Sequence, residues 1–539
     1  MEIYLDANAT TPVLPLARAA ALAVMAEDFG NPSSSHGSGL KARALLAQVR
    51  GVARRVLGVQ GGQLLFTSGA TEGIQTAVLS ALSALRRQVA VAGADRPCLL
   101  YGATEHKAVP EALRHWNAVL GLDLPIEAIP VGTDGRHDLA WLAEHAPRAG
   151  LVCTMAANNE TGVVTDLDGI AAVLAGTSAL WLVDGVQALG KLPLRLHDRR
   201  IDYAPFSGHK LYAPKGIGML YVREGAPFTP LLAGGGQEGA LRAGTENMAA
   251  IAALGAVLEA LDDATTFADQ ATLAACRAKL EAALVDAFEG VVFNAPARLC
   301  LPTTLNFSVP GISSSALLNL FDAAGLRVSG GSACSASLAR PSHVLEAMGL
   351  PAWQSAGAVR LSFGAADGPG LIDEACARIR ACGEALRSSL QGAAAPAHAE
   401  DPLRDLDGAT EGATPGAGGE PPGMKMGVGI PADEVEGLLR SKPAPVVVDV
   451  RELYEQRVTE ALPFATPSKV LSAPLSNILC VLPTWLALPA QTPVLFYCRS
   501  GNRSAQAARA LRRLGHENAW SLDGGLALWP QAARESADA

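Results

Sequence analysis

The sequence predicts a large, doubly wound and mostly parallel α/β domain with a small α/β subdomain, followed by a second, small α/β domain. Three observations carry that expectation. The chain has 539 residues, 49% hydrophobic and 18% charged, which supplies apolar material for several cores and is not the composition of a disordered protein. From Leu16 to about Leu390, short apolar runs alternate with helical stretches rich in Ala, Leu and Arg, the pattern of parallel strands joined by crossover helices. Between about Gln391 and Gly423 the composition turns to Ala, Gly, Pro, Asp and Glu, with almost no large apolar side chain after Leu406. Such a segment cannot bury enough surface to offset its ordering entropy, so 392–423 is expected to be a flexible linker. It separates a first domain at 1–391 from a second at 424–539.

In the first domain the expected strands fall at 63–67, 99–101, 151–155, 180–184, 201–206 and 218–222, each a buried-type apolar run. These belong to a large part spanning about 15–255. From 256 the chain gives long helical patterns and then runs at 304–309, 325–329 and 358–363, so a small part is expected from 256–391 together with 1–14. In the second domain, 446–450 and 494–497 read as buried strands and 504–514 as a helix. The uncharged run 470–498 is long enough to span a bilayer, but Pro474, Pro483, Pro489 and Pro493 interrupt it, so it reads as a buried loop, helix and strand.

Charge and cysteine usage narrow the class. The net charge is −9, which argues against broad nucleic-acid binding or attraction to anionic membrane and leaves small molecules and proteins as partners. The N-terminus carries Glu2 and Asp6 where a secretory signal would be basic, so the expected location is cytoplasmic. The nine cysteines form no Cys-x-x-Cys pair, which leaves a metal ribbon or dithiol redox motif without support; no metal is expected.

The strongest local signal is Ser207-Gly208-His209-Lys210. A lysine on a Gly-flanked turn, with Asp184 at the end of a neighbouring strand, is what an internal aldimine requires: an amine held rigidly beside a carboxylate partner for the cofactor. Alone, Lys210 would read as a solvated surface charge. Its companions change the reading. Thr67-Ser68-Gly69-Ala70-Thr71-Glu72 puts small residues and hydroxyls at a helix start, where free backbone N–H groups bind phosphate, although a lone turn of this kind is more often only a cap. His106 should emerge at the carboxyl edge of the sheet, where α/β enzymes bind ligands, and Asp184 ends another strand there.

At this point the sequence resembles the cysteine desulfurases, fold-type I enzymes that use pyridoxal 5′-phosphate (PLP). The matching stretches are Tyr4-Leu5-Asp6-Ala7-Asn8-Ala9-Thr10-Thr11-Pro12, Asn31-Pro32-Ser33-Ser34, Ser68-Gly69-Ala70-Thr71-Glu72, Asn158-Asn159-Glu160-Thr161-Gly162, Gly234-Gly235-Gly236-Gln237-Glu238 and Arg242-Ala243-Gly244-Thr245-Glu246-Asn247. They run through the whole first domain in the family's order. The resemblance implies that Lys210 forms the Schiff base, His106 stacks on the ring, Asp184 pairs with the pyridine nitrogen and Gln187 meets the phenolic oxygen. It implies that Ala70, Thr71, Ser207 and His209 bind the phosphate, with Thr245 reaching over from the other subunit of a homodimer. Asn159 and Arg360 would position the substrate, L-cysteine, Arg360 by a bidentate clamp on its carboxylate. Ala243 stands where the family has serine, next to these residues rather than among them.

Cys334, in Ser332-Ala333-Cys334-Ser335-Ala336-Ser337, separates this family from ordinary aminotransferases. A Gly/Ser-rich stretch with no apolar period is expected to be an exposed, mobile loop, and a cysteine there is a plausible thiolate nucleophile. The loop resembles that of the subgroup with a long swinging catalytic loop, able to carry sulfur to another protein. The implied reaction converts L-cysteine to L-alanine and leaves a persulfide on Cys334. Selenocysteine lyase is the neighbouring alternative, and an aminotransferase or lyase with an incidental thiol is a further rival.

The second domain carries Cys498-Arg499-Ser500-Gly501-Asn502-Arg503-Ser504 between an expected strand and helix. Backbone N–H groups of such a loop, the helix dipole, Arg499 and Arg503 favour thiolate and persulfide anions. With Asp449-Val450-Arg451-Glu452 and Asp523-Gly524-Gly525-Leu526, it resembles a rhodanese-like domain, and four residues between Cys498 and Arg503 distinguish it from a cysteine phosphatase. A relay from Cys334 to an exposed Cys498 is the expectation; a module kept only as a docking adaptor is the alternative. The family's usual Gly-His-Ile-Pro-Gly-Ala is replaced by Thr459-Glu460-Ala461-Leu462-Pro463-Phe464-Ala465. The final acceptor stays open among iron–sulfur scaffolds, thiolation proteins and other sulfur-acceptor proteins.

Overall fold

The computed structural model describes residues 2–92, 96–264, 266–330, 341–390, 427–459, 466 and 469–529. Cys334, the segment 392–423 and the departure at 460–465 lie outside the described residues. The chain falls into two compact units: Glu2–Leu318 with Arg327–Cys376, and Asn319–Leu326 with the residues from Ala377 onward.

In the larger unit a seven-stranded sheet runs in the order Gln63–Thr67, Gly218–Val222, Tyr203–Ser207, Leu180–Asp184, Ala149–Met155, Cys98–Gly102, Ile126–Ile129. Gly218–Val222 pairs antiparallel with both its neighbours; the remaining pairings are parallel. Alternate side chains serve opposite faces. Trp181 and Val183 join one core with the helices Gly37–Leu57 and Met248–Asp262, while Leu182 joins another with the helices Ala70–Ala92 and Ala108–Val119. Trp181 is fully buried and its Nε1–H donates to Thr154 Oγ1 at 2.9 Å, which satisfies the one polar atom that its large apolar body brings inside. The edge strand Ile126–Ile129 was not expected from the sequence: it is short, only partly buried and interrupted by Glu127, so it lacks the continuous apolar run.

A four-stranded antiparallel sheet of the same unit runs Ser329–Gly330, Val359–Ser362, Thr304–Ser308, Val292–Phe293 and pairs Asn306 with Arg360. The expected run at 325–329 is divided between two short strands, Leu326–Arg327 and Ser329–Gly330.

The second unit holds a five-stranded parallel sheet in the order Gly429–Ile430, Ala519–Leu522, Val494–Tyr497, Val446–Asp449, Leu471–Ser472. Both of its faces are covered by apolar clusters, as a parallel sheet requires. The uncharged run resolves into the strand Leu471–Ser472, the helix Ile478–Leu486 with Pro483 inside it, and the strand Val494–Tyr497. No described helix is long and apolar enough to cross a membrane.

Candidate active site

Parallel strands end at one edge of a sheet, so whatever follows them in sequence gathers there. In the larger unit Thr67, Met155, Asp184 and Ser207 are such ends, and the candidate residues follow from them. After Thr67 the helix Ala70–Ala92 begins, held by Ser68 N–H donating to Glu72 Oε2 at 2.7 Å and by Arg242 on Glu72 Oε1 at 2.9 Å. Its first-turn N–H groups and the exposed Thr71 hydroxyl form an anion-binding end.

After Asp184 the chain turns at once. The Asp184 Oδ1 accepts the Val186 N–H at 2.9 Å, and a Cβ on Gly185 would stand 2.2 Å from the Phe206 ring, so glycine lets this turn hug the next strand. Burial pushes the Asp184 carboxyl up to about 6, partly offset by the Val186 N–H and the charge of Lys210. Past Ser207, a 3₁₀ turn Gly208–Lys210 presents His209 and Lys210. Lys210 Nζ donates to the carbonyls of Asn8 and Ala9, both at 2.6 Å. His209 Nδ1 lies 3.1 Å from Thr10 Oγ1, and desolvation, then Lys210 and Lys215, hold it down to about 4, so it is neutral at pH 7.

His106 follows the strand Cys98–Gly102. Its Nδ1 accepts the Ala108 N–H at 3.2 Å, which puts the proton of the neutral ring on Nε2. Desolvation by its surroundings, then the charges of Lys210, His343 and Lys107, hold it below the ordinary imidazole range. Beside it the buried Glu105 accepts the Met155 N–H at 2.6 Å through Oε1, while Oε2 has no hydrogen-bond partner; burial and then Asp184 push its carboxyl well up. Gln187 Nε2 donates to the Asn8 carbonyl at 3.0 Å.

Arg360 is 1% exposed. Its Nη2 donates to Asp6 Oδ1 at 2.6 Å and its Nη1 to the Asn159 carbonyl at 3.0 Å, leaving Nε without a partner. A carboxylate entering the site therefore meets an arginine already engaged by Asp6, a competitor that the sequence reading did not name. Thr245 is exposed, on the segment that Arg242 ties to Glu72. Asn8, Asp6 and Lys191 are the residues missed from the sequence reading. The first two lie inside a matching stretch but received no role; Lys191 lies four positions after Gln187, in the turn that follows Asp184.

These donors suit PLP. An orphaned guanidinium Nε and a helix start flanked by Ser207 and neutral His209 await anionic groups; Asp184 has the charge to hold a ring nitrogen protonated, and Lys210 the amine to meet an aldehyde.

In the second unit Cys498 ends the strand Val494–Tyr497, and its Sγ accepts the Gly501 N–H at 3.2 Å. Gly501, at φ +88°, caps the helix Asn502–Arg513. The Ser504 hydroxyl lies 3.5 Å from the sulfur, donates to the Gly501 carbonyl at 3.0 Å and accepts from Ser521 at 2.9 Å. One expectation changes here. Cys498 is fully buried rather than exposed, because the turn at Gly524 and Gly525 packs on the loop: Leu526 N–H donates to the Cys498 carbonyl and Ala527 N–H to that of Arg499. Arg503 places its fork on the buried Glu455, at 2.8 and 2.7 Å, and its charge also interacts with Cys498. Arg499 is half-buried, and Ser500 and Asn502 are exposed.

Comparison with known proteins agrees with this geometry. The aminotransferase class-V family model matches residues 3–368, and the rhodanese-like domain model matches 431–532. A cysteine desulfurase of Cereibacter sphaeroides is 38% identical over 371 residues, covering 67% of this chain and 90% of that protein. Among solved structures, a NifS-like protein aligns with a TM-score of 0.63 at 31% identity, over 72% of this chain and all of that one. DndA from Streptomyces lividans aligns at 0.55 and 32%, over 67% of this chain and 99% of that one.

Proposed function

This chain belongs to the aminotransferase class-V family, as a PLP-dependent cysteine desulfurase with a rhodanese-like domain behind it, and from that premise we propose that it relays sulfur along itself. In this reading a homodimeric, cytoplasmic enzyme takes sulfur from L-cysteine onto Cys334, passes it to Cys498 and delivers it to sulfur-acceptor proteins such as an iron–sulfur scaffold or a thiolation protein.

When bound, PLP supplies the aldehyde that condenses with an amine and the ring that withdraws electrons from the substrate Cα. The chain's residues do the rest. Asp184 holds a proton on the ring nitrogen, which its own raised affinity for protons favours sharing. Lys210 Nζ would meet the aldehyde and, once free, would hold the proton removed from the substrate Cα. His106, its Nδ1 occupied by the Ala108 N–H, would stack on the ring. Arg360 and Asn159 orient the substrate carboxylate, with Asp6 yielding part of the guanidinium. The Cys334 thiolate then forms an S–S bond to the substrate sulfur as the C–S bond breaks. The electron pair of the C–S bond stays on Cβ, which takes up one proton, and Cα regains the proton held by Lys210, giving L-alanine. Attack by the Cys498 thiolate on the outer sulfur would release Cys334 as thiolate.

The single observation that supports the first half is the meeting of Lys210, Asp184, His106 and the Ala70 helix start at one sheet edge. The dimer reading is supported by the apolar Leu22, Met25, Phe29 and Leu40, exposed near the N-terminus, and by the exposed Thr245. For the relay the support is the Gly501 N–H on Cys498 Sγ, which favours a sulfur anion. The burial of Cys498 favours a second reading, a docking adaptor with an occluded thiol. Feeding ³⁵S-cysteine and mapping persulfides by mass spectrometry before any reductant separates the two: label on Cys334 and Cys498 supports the relay, and label on Cys334 alone supports the adaptor. Alanine formed without a keto-acid acceptor tests the desulfurase step itself, and selenocysteine in place of cysteine tests the lyase side activity.

A further inference from the structure

Lys191 lies in the floor of the site and has no part in the reaction above. It is 4% exposed. Gly190, at φ +76° and with its Cβ direction 2.3 Å from Leu211, turns the chain so that the lysine points inward. Its Nζ donates to Gln187 Oε1 at 2.9 Å and to Asn8 Oδ1 at 3.1 Å, two neutral amide oxygens. In its protonated form Lys191 is an ammonium that only donates, and this fixes both amides. Gln187 must turn Oε1 toward Lys191, so its Nε2 faces the Asn8 carbonyl at 3.0 Å with a second N–H left for the pocket. Asn8 in turn must give Nδ2 to the Asn159 carbonyl at 3.2 Å and to Thr304 Oγ1 at 2.9 Å. The carbonyl of Asn8 also accepts Lys210 Nζ.

We infer that Lys191 is a positioning residue that makes Gln187 a hydrogen-bond donor toward the phenolic oxygen of the bound cofactor. The inference rests on the PLP reading of this site. A glutamine amide is nearly symmetric in shape, so without a donor-only neighbour it is free to flip and present its carbonyl to an anionic oxygen, exchanging attraction for repulsion. Burial, followed by the charges of Lys210 and Arg360, holds Lys191 down to about 7, and Arg360 is itself paired with Asp6. An anionic oxygen across Gln187 would supply the counter-charge that the two amides do not, and so would keep Lys191 protonated and donor-only.

The test compares wild type, Lys191→Met, Gln187→Met and the double variant, each titrated with PLP. The readouts are the dissociation constant and the visible absorption band of the bound cofactor, with the melting temperature of cofactor-free protein as the folding control. Lys191→Met is expected to weaken PLP binding about tenfold and to move the band as Gln187→Met does. The double variant should lose about tenfold again rather than a hundredfold, because the two residues act as one unit. If Lys191→Met does not fold, Lys191→Gln decides: it keeps a polar group in place but accepts as well as donates, so the same band shift is expected. A wild-type band and affinity in the Lys191 variants, or losses that multiply in the double, would overturn the inference, as would a lowered melting temperature with an unmoved band. A wild type that binds no PLP removes the PLP reading and this inference together; a yellow, active wild type with unaffected Lys191 variants removes this inference alone.

Discussion

Asp184 shows how one buried carboxyl joins chemistry to stability. Its folded-state pKa, raised to about 6 by burial, exceeds that of the unfolded chain, so the folded protein binds a proton that the unfolded chain gives up. That contribution is fully present below about pH 4 and is lost as pH rises through about 6, a change on the order of 3 kcal/mol for two pKa units. Asp184→Asn should therefore raise the melting temperature of cofactor-free protein at pH 7 to 8 and narrow the difference near pH 4, while weakening PLP binding. Equal melting of the two proteins at pH 8 would show that the carboxylate is not penalised. Lys210→Ala should leave PLP bound without covalent attachment, so borohydride reduction followed by mass spectrometry should find no pyridoxyl adduct; an adduct elsewhere in the chain would move the assignment. Cys334→Ala should bind PLP and still show a spectral response to L-cysteine, but lose alanine formation by on the order of 10²-fold or more, because the electron sink is intact and the nucleophile is gone. Undiminished turnover would relocate the nucleophile.

At the scale of elements, turns decide where these side chains point. The Gly524–Gly525 turn is the clearest case. Gly525 has φ +58°, and a Cβ there would stand 2.4 Å from the Cys498 carbonyl, so the motif near the C-terminus serves as the floor of the cysteine loop. Left-handed backbone costs a non-glycine residue about 1–2 kcal/mol before the clash is counted. Gly525→Ala should lower the stability of the C-terminal domain and abolish persulfide loading of Cys498, while alanine production by the first domain stays at wild-type rates. Loss of both activities would mean that the two domains do not fold independently. The Glu455–Arg503 pair acts similarly: burial raises the Glu455 carboxyl, Arg503 offsets part of that, and the paired fork anchors the start of the helix Asn502–Arg513.

For the whole molecule, the proposed relay would gain from having both cysteines on one chain, since covalent linkage commonly gives effective concentrations in the millimolar range. Mixed as separate chains at micromolar concentration, the domains should load Cys498 more slowly than the intact protein, as quantitative persulfide mapping over time would report; equal rates would mean that covalent linkage does not matter. Much of this organisation was legible in the sequence. Continuous apolar runs announced the strands Gln63–Thr67, Leu180–Asp184, Gly218–Val222 and Val494–Tyr497, because strands buried on both faces need no alternation. Lys210, Asp184, His106 and Thr71 were legible because each ends or follows a strand, and parallel topology brings strand ends together. Tertiary structure alone decided the rest. The claim of Asp6 on Arg360, the seat of Lys191 under Gln187 and the match of Arg503 to Glu455 join residues tens to hundreds of positions apart or choose among equivalent donors, and no local pattern encodes such pairings. The burial of Cys498 is of the same kind: its motif names the loop, but exposure depends on what packs over it, here a turn more than twenty residues away that only a folded sheet brings near.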